Sequence, residues 1–329
     1  MVVDPYNGTY DGHAHGVTVT TASAGKEAVT LQYSTDGSNW ADKVEYIDVT
    51  NGAKTVYVKA SAKGYDDKTV TSSITITPAT ITVTANNASK KYAEADPSEF
   101  TYSPSAGVNG ETAGFAGRLE RIAGEEVGHY AINQGSLVLA DNGSFKAGNY
   151  TLSYTAGDFE IVNSDKLELT LAPYNNVYDG ESHGITVTKA VAGTEDVKLQ
   201  YSKDGKTWQD DPITYKNVTN GNKTVYVKAS AKGYDDKIVS ETVTITPRTV
   251  QVTTPTQFKV YDATPLTAEG RIEGIVEGET ATFTTTGSQT EVGNSENTYI
   301  LTWDGTAKET NYTVSESLGT LTVTPQSIV

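Results

Sequence analysis

The stretch "TVYVKASAKGYDDK" runs from Thr55 to Lys68, and the same residues return unchanged from Thr224 to Lys237. Val56, Val58, Ala60 and Ala62 alternate with Thr55, Tyr57, Lys59 and Ser61. A period of two in Val, Thr and Tyr reads as a half-buried strand. Lys63-Gly64-Tyr65-Asp66-Asp67 reads as the loop before the next strand. Catalytic sites are seldom built twice in one chain, whereas a structural unit often is.

The duplication extends outward. Tyr10-Asp11-Gly12 returns as Tyr178-Asp179-Gly180, Leu31-Gln32-Tyr33-Ser34 as Leu199-Gln200-Tyr201-Ser202, and Val49-Thr50-Asn51-Gly52 as Val218-Thr219-Asn220-Gly221. Both copies close on Ile-Thr-Pro, at Ile76-Thr77-Pro78 and Ile245-Thr246-Pro247. The intervening stretches are related more faintly. Gly110-Glu111-Thr112 faces Gly278-Glu279-Thr280, and Asn149-Tyr150-Thr151 faces Asn311-Tyr312-Thr313. The chain therefore reads as four tandem modules in the order A-B-A-B, over 1–78, 79–164, 165–247 and 248–329.

Every module reads as β. Ile81-Thr82-Val83-Thr84 and Val250-Gln251-Val252-Thr253 alternate like the A strands. Asp36-Gly37, Asn51-Gly52, Asp204-Gly205 and Asn220-Gly221 are turn dipeptides that predict hairpins. No stretch sustains a helical period, and one helical turn near Val108 to Gly114 is the most the pattern allows. Short proline links at Pro78 and Pro247 predict stiff joints. The expectation is an all-β, elongated rod of small, independently cored modules.

Composition narrows the function classes. The net charge of −16 leaves no basic surface for nucleic acid, because phosphate binding needs Lys and Arg to release counterions. It also disfavours docking on anionic lipid, and no apolar run is long enough for a membrane helix. With no cysteine, disulfides and thiolate chemistry are excluded. The absence of a leader before Val2 and of a sorting signal after Val329 reads as an excerpt from something longer.

Candidate chemistry is sparse. His13-Ala14-His15 offers two imidazoles near Asp11, but a zinc site needs three or four ligands. Asp66-Asp67, Asp235-Asp236 and Asp210-Asp211 lack any calcium-loop spacing and read as acidic turns. No nucleophile elbow, phosphate loop or HExxH helix is present. No catalytic residue, metal or cofactor is therefore expected. Lys90 and Lys259, early in the B modules, could in principle join Asn149 and Asn311, late in them, through isopeptide bonds. The ligand-binding candidates are aromatic: Trp40 and Trp208, at equivalent positions, with Tyr57 and Tyr226 on the outward face of the repeated strand. Such rings stack on sugars or anchor protein partners, or else simply pack over a sandwich core.

The landmarks of the B modules, "ITVTANNASKKYAEADP", "GVNGET", "EEVGHYAI" and "NYTLSYTAGDFEIV", resemble MBG-type domains of bacterial surface proteins. The fourth module keeps "VYDATP", "EGET" and "NYTV" but has Asn294-Ser295-Glu296-Asn297 after Val292-Gly293. The A modules, with "YDG…HG" and "LQYS", resemble the Ig-like repeats that accompany such domains in Gram-positive cell-wall proteins. The resemblance implies Ig-like sandwiches in the A modules and raises a β-grasp-like fold as the competitor in the B modules. It implies an extracellular, wall-attached protein serving as an adhesin or its stalk; as a stalk that presents an adhesive region, the chain is expected to be an elongated monomer. The alternative is direct adhesion to host glycan, mucin or another extracellular protein through the repeated aromatic sites.

Overall fold

The computed structural model describes residues 1–328. Among them the regular structure is strand, apart from three single 3-10 turns at Val108–Gly110, Ala147–Asn149 and Glu309–Asn311. The chain forms two compact units, 1–163 and the remainder from Ser164 onward.

Each unit opens with an A module. In the first, a four-stranded sheet runs in the order Tyr6–Thr9, Lys68–Thr77, Lys54–Ser61, Thr30–Ser34. Its first pair is parallel and the others are antiparallel. A second sheet pairs Val2–Asp4 with Thr18–Thr21. The second unit repeats this with Tyr174–Val177, Lys237–Thr246, Lys223–Ser230 and Lys198–Ser202, and with Glu168–Ala172 paired to Thr186–Val191. The duplicated stretch is thus one central strand, its loop and the first residue of the next strand. Val56 and Val58 point into the core and are fully buried, as the alternation requires.

The turn dipeptides bend as expected, with Asn51 and Gly52 at φ 46° and 97°. Asn51-Gly52 nevertheless joins no hairpin. The amide of Thr50 donates to Ile76 O at 3.2 Å and that of Val49 to Asn149 Oδ1 at 2.9 Å. The first is a single bond to the edge of Lys68–Thr77 and the second goes to a side chain, so no ladder forms around this turn.

The B modules are built on parallel pairing of their first and last strands. Ala79–Ala85 lies parallel to Tyr150–Thr155, and Ala88–Lys91 parallel to Gly157–Val162. Arg248–Thr253 with Tyr312–Ser317, and Gln257–Val260 with Thr320–Thr324, repeat the plan. A β-grasp needs a helix laid across its sheet. The described residues contain no α-helix, so the β-grasp alternative gives way to packed sheets, consistent with the missing helical period.

The two B modules differ inside. In the first, Lys90 is buried and bonds Glu125 and, at 2.8 Å, Asp96. Arg121 grips the same carboxylates, at 2.7 Å to Asp96 and 2.5 Å to Glu125, and its guanidinium stands 4.9 Å from the centre of Phe159. In the second, Lys259 bonds Asp262 at 2.7 Å on the surface.

One expectation is corrected here. The cores of A and B are not separate: within the first unit Tyr10, Val56, Ile74 and Ile76 join Ile81, Phe145, Tyr150 and Phe159 in one buried cluster. Within the second, Tyr178, Val225, Val243 and Ile245 join Val250, Ala307 and Tyr312. The cause is the link. Only Pro78 separates Lys68–Thr77 from Ala79–Ala85, and only Pro247 separates Lys237–Thr246 from Arg248–Thr253. The strand leaving A becomes the strand entering B, so the two ends are pressed together.

Candidate functional site

Trp40 lies half-buried on the outer face of the four-stranded sheet. The Lys59 ammonium, from the repeated strand, stands 4.5 Å from the centre of its ring. Trp208 and Lys228 repeat the pair at 5.1 Å. Such cation–ring contacts contribute about 0.5–1 kcal/mol at exposed sites. Tyr57 and Tyr226 do another job. A methyl group added at Gly37 would sit 3.4 Å from the Tyr57 ring, and one at Gly205 3.6 Å from that of Tyr226. These tyrosines prop the Asp36-Gly37 and Asp204-Gly205 turns. The turns are further tied by Asp36 and Asp204, each accepting two backbone amides at 2.8 Å. Those bonds hold both carboxyls well below the usual carboxylate range.

His15 and His183 are tied into their own modules. His15 bonds Asp11 at 2.8 Å and stacks on Tyr6 at 4.0 Å; His183 bonds Asp179 at 2.9 Å and stacks on Tyr174 at 4.2 Å. Among the described residues no group of three or more His, Asp or Glu is placed to hold a metal ion. Lys90 and Asn149 have separate partners. Two carboxylates hold the Lys90 ammonium in its charged form and raise its pKa against the opposing effect of burial. A protonated amine is no nucleophile.

A polar constellation that the sequence shows only as repeat landmarks lies at the joint between A and B. In the first unit the Asn149 side chain, buried, accepts from the Val49 amide at 2.9 Å and donates to Asp48 Oδ1 at 2.7 Å. The Tyr150 hydroxyl donates to Glu111 Oε2 at 2.6 Å and accepts from the Val108 amide at 2.9 Å. Its ring meets Tyr10 edge-on at 5.4 Å and stacks on Phe145 at 4.5 Å. Asn109 closes the rim by donating to Asp11 O at 3.2 Å.

In the second unit Asn311 accepts from Val218 at 3.0 Å and donates to Asn217 at 3.0 Å. Tyr312 donates to Glu279 Oε2 at 2.5 Å and meets Tyr178 edge-on at 5.6 Å. Here Tyr178 donates to Glu279 as well, so one carboxylate takes both phenols. Burial, seconded by the carboxylate bond, pushes Tyr150 and Tyr312 up to about 12 and raises Tyr178 too. Beside this joint is a cleft of about 860 Å³ whose walls include Asp179, Glu181, Lys216, Arg248, Glu277 and Lys308. Its charges are of both signs.

Each joint therefore consists of two tyrosines, one glutamate and one asparagine drawn from both modules. The B-side members of the first joint lie in a stretch that matches a known family. Residues 81–160 match the MBG domain (YGX type) family. That span holds Glu111, Asn149 and Tyr150, while Tyr10 and Asp48 lie outside it. No curated protein matches the chain. Among solved structures, Sidekick-1 immunoglobulin domains 1–5 align at 11% identity over 98% of this chain and 79% of that one, with a TM-score of 0.27. The insect immune protein hemolin aligns at 9% identity over 95% of each chain, TM-score 0.25. Protocadherin gamma B2 cadherin domains 3–6 align at 10% over 99% of each, TM-score 0.29.

Proposed function

We propose that this chain is a non-enzymatic spacer of an extracellular, wall-attached bacterial surface protein, built from two-module blocks that act as stalk segments presenting an adhesive region. The observation that carries the reading is the joint. The same four polar side chains recur at both A–B boundaries: the asparagine bonds across to A, the B tyrosine is held by the B glutamate, and the A tyrosine packs edge-on against it. Buried, mutually satisfied polar networks fix one geometry, which is what a spacer under load requires. The MBG match and the surface-protein resemblance of its landmarks support the location.

Direct adhesion is separated from spacing by a binding screen. The full chain is applied to glycan arrays, mucin and matrix proteins beside its Trp40→Ala/Trp208→Ala variant. A spacer gives no saturable binding in either form. Saturable binding by the parent that the double variant loses would replace this reading with adhesion through the aromatic faces.

A further inference from the structure

The cleft beside the second joint is walled by charges that the first joint lacks. Lys216 stands where the first unit has Ile47, Arg248 where it has Ala79, and Asn217 where it has Asp48. Of the opposite sign, Glu181 replaces His13 and Glu277 replaces Asn109. In the first unit Asn109 leans over Gly12 and spans the rim by donating to Asp11 O at 3.2 Å. A carboxylate cannot donate that bond, so Glu277 leaves the rim unbridged. The remaining cation, Lys308, matches Lys146, which is engaged by Asp141 at 3.7 Å; Trp303 occupies the place of that aspartate.

Contacts along the wall sort these charges by sign. A methyl group added at Gly180 would lie 2.8 Å from Val276 Cγ1, so the next residues, Glu181 and Glu277, share one stretch of the wall. Asn217 accepts from Asn311, whose amide donates to Lys308 O at 2.9 Å, and this gathers Lys216 and Lys308 in a second stretch. Arg248 is fixed by its Nε donating to Gly274 O at 2.7 Å, and its two terminal amino groups have no partner among the described residues. Among those residues none of the three cations is ion-paired with Glu181 or Glu277. The other two carboxylates are engaged, Asp179 by His183 and Glu279 by both tyrosines.

We propose that this cleft binds a short zwitterionic peptide, its terminal carboxylate on Arg248 and the two lysines and its terminal ammonium on Glu181 and Glu277. A guanidinium held by its Nε presents two terminal amino groups that match the two oxygens of a carboxylate. A polyanion would meet Glu181 and Glu277 unpaired, in a chain of net charge −16, and a neutral sugar would leave charges of both signs unanswered. The volume of about 860 Å³ is more than one amino acid fills and lies within the range of ligand clefts. A short peptide carries opposite charges at its two ends, as the wall does. The site goes beyond the spacer reading and does not depend on it: Trp40 and Trp208 take no part, and short free peptides are absent from that binding screen.

The test titrates the full chain with di- to hexa-alanine carrying free ends, followed by NMR. The amides of Glu277 and Lys308 are expected to shift saturably, while those of Asn109 and Lys146 at the first joint stay still. Acetylating the amino end or amidating the carboxyl end should each weaken binding about tenfold, since each removes bonds between charged groups. Lys216→Ile and Glu277→Asn import the first unit's own residues, so the fold is kept. Lys216→Ile should weaken the free-ended peptide more than the amidated one, and Glu277→Asn should weaken it more than the acetylated one. No shift at any length, or shifts indifferent to capping and to both variants, would overturn the proposal. So would polyglutamate binding more tightly than every free-ended peptide, because the ligand would then be a polyanion.

Discussion

The joints of the two units solve one problem with different distributions of charge. In the first, Asn149 donates to a carboxylate, Asp48, and Glu111 receives the Tyr150 phenol. In the second, Asn311 donates to a neutral amide, Asn217, and Glu279 gathers both Tyr178 and Tyr312. Asn109 bridges the rim of the first by bonding Asp11, and Glu277 takes its place in the second, where the charged cleft lies. What is common to both is the requirement: a buried asparagine capping a loop amide of A, and a tyrosine of B buttressed by a glutamate. What differs is where the strongest hydrogen bonds fall, since those to ionised groups contribute roughly twice as much as neutral ones.

Removing the asparagines should have the largest effect. Asn149→Ala orphans the Val49 amide and leaves Asp48 without its partner, and should cost about 2–4 kcal/mol, because buried groups lose their compensation. Asn311→Ala should cost less, since no carboxylate is stranded. Urea denaturation of each variant gives the two values, and equal values would remove the proposed distinction.

Next comes the tyrosine of A. Tyr178→Phe deletes a bond to a carboxylate and should cost about 1.5–3 kcal/mol, whereas Tyr10→Phe should cost about 1 kcal/mol. Equal losses in thermal denaturation would show that Glu279 gains nothing from its second donor.

Alkali tests both joints together. A phenol whose pKa is raised on folding keeps its proton in the native state at pH values where the unfolded chain has released it. The stability it contributes is full below about pH 10 and is lost as pH rises toward 12. With Tyr150 and Tyr312 pushed up to about 12 from 10, each should account for a loss on the order of 2 kcal/mol across that window, and the second unit, where Tyr178 and Tyr299 are raised as well, should lose more. Tyr150→Phe should flatten the loss in the first unit alone. The smallest effect belongs to Trp40→Ala, where losing the Lys59 contact should cost about 0.5–1 kcal/mol and leave the joint untouched.

The strands were legible because alternation survives in the letters. Val56 and Val58, or Ile81 and Val83, announce their buried face without help from any distant residue. The joint was not legible because its bonds span long separations. Nothing near Asn149 signals that its amide caps Val49, and Glu111 looks like any surface acid after a glycine. The one available signal was that Tyr10, Glu111, Asn149 and Tyr150 recur together as Tyr178, Glu279, Asn311 and Tyr312. That recurrence marks a shared structural duty but not its location. Trp40 and Trp208 are a repeated pair in the letters, yet their lysine covers can be found only from strand register. The merged cores follow from the length of the link. A single proline between two strands leaves their ends no room to stand apart.

Pulling on the full chain by single-molecule force spectroscopy bears most directly on whether each A–B pair is one cooperative block. Two unfolding events are expected, each releasing about 55 nm of chain at roughly 3.4 Å per residue. Four events of about 28 nm each would show that the modules fail one by one and that the tyrosine–glutamate–asparagine joint does not bind them into a unit.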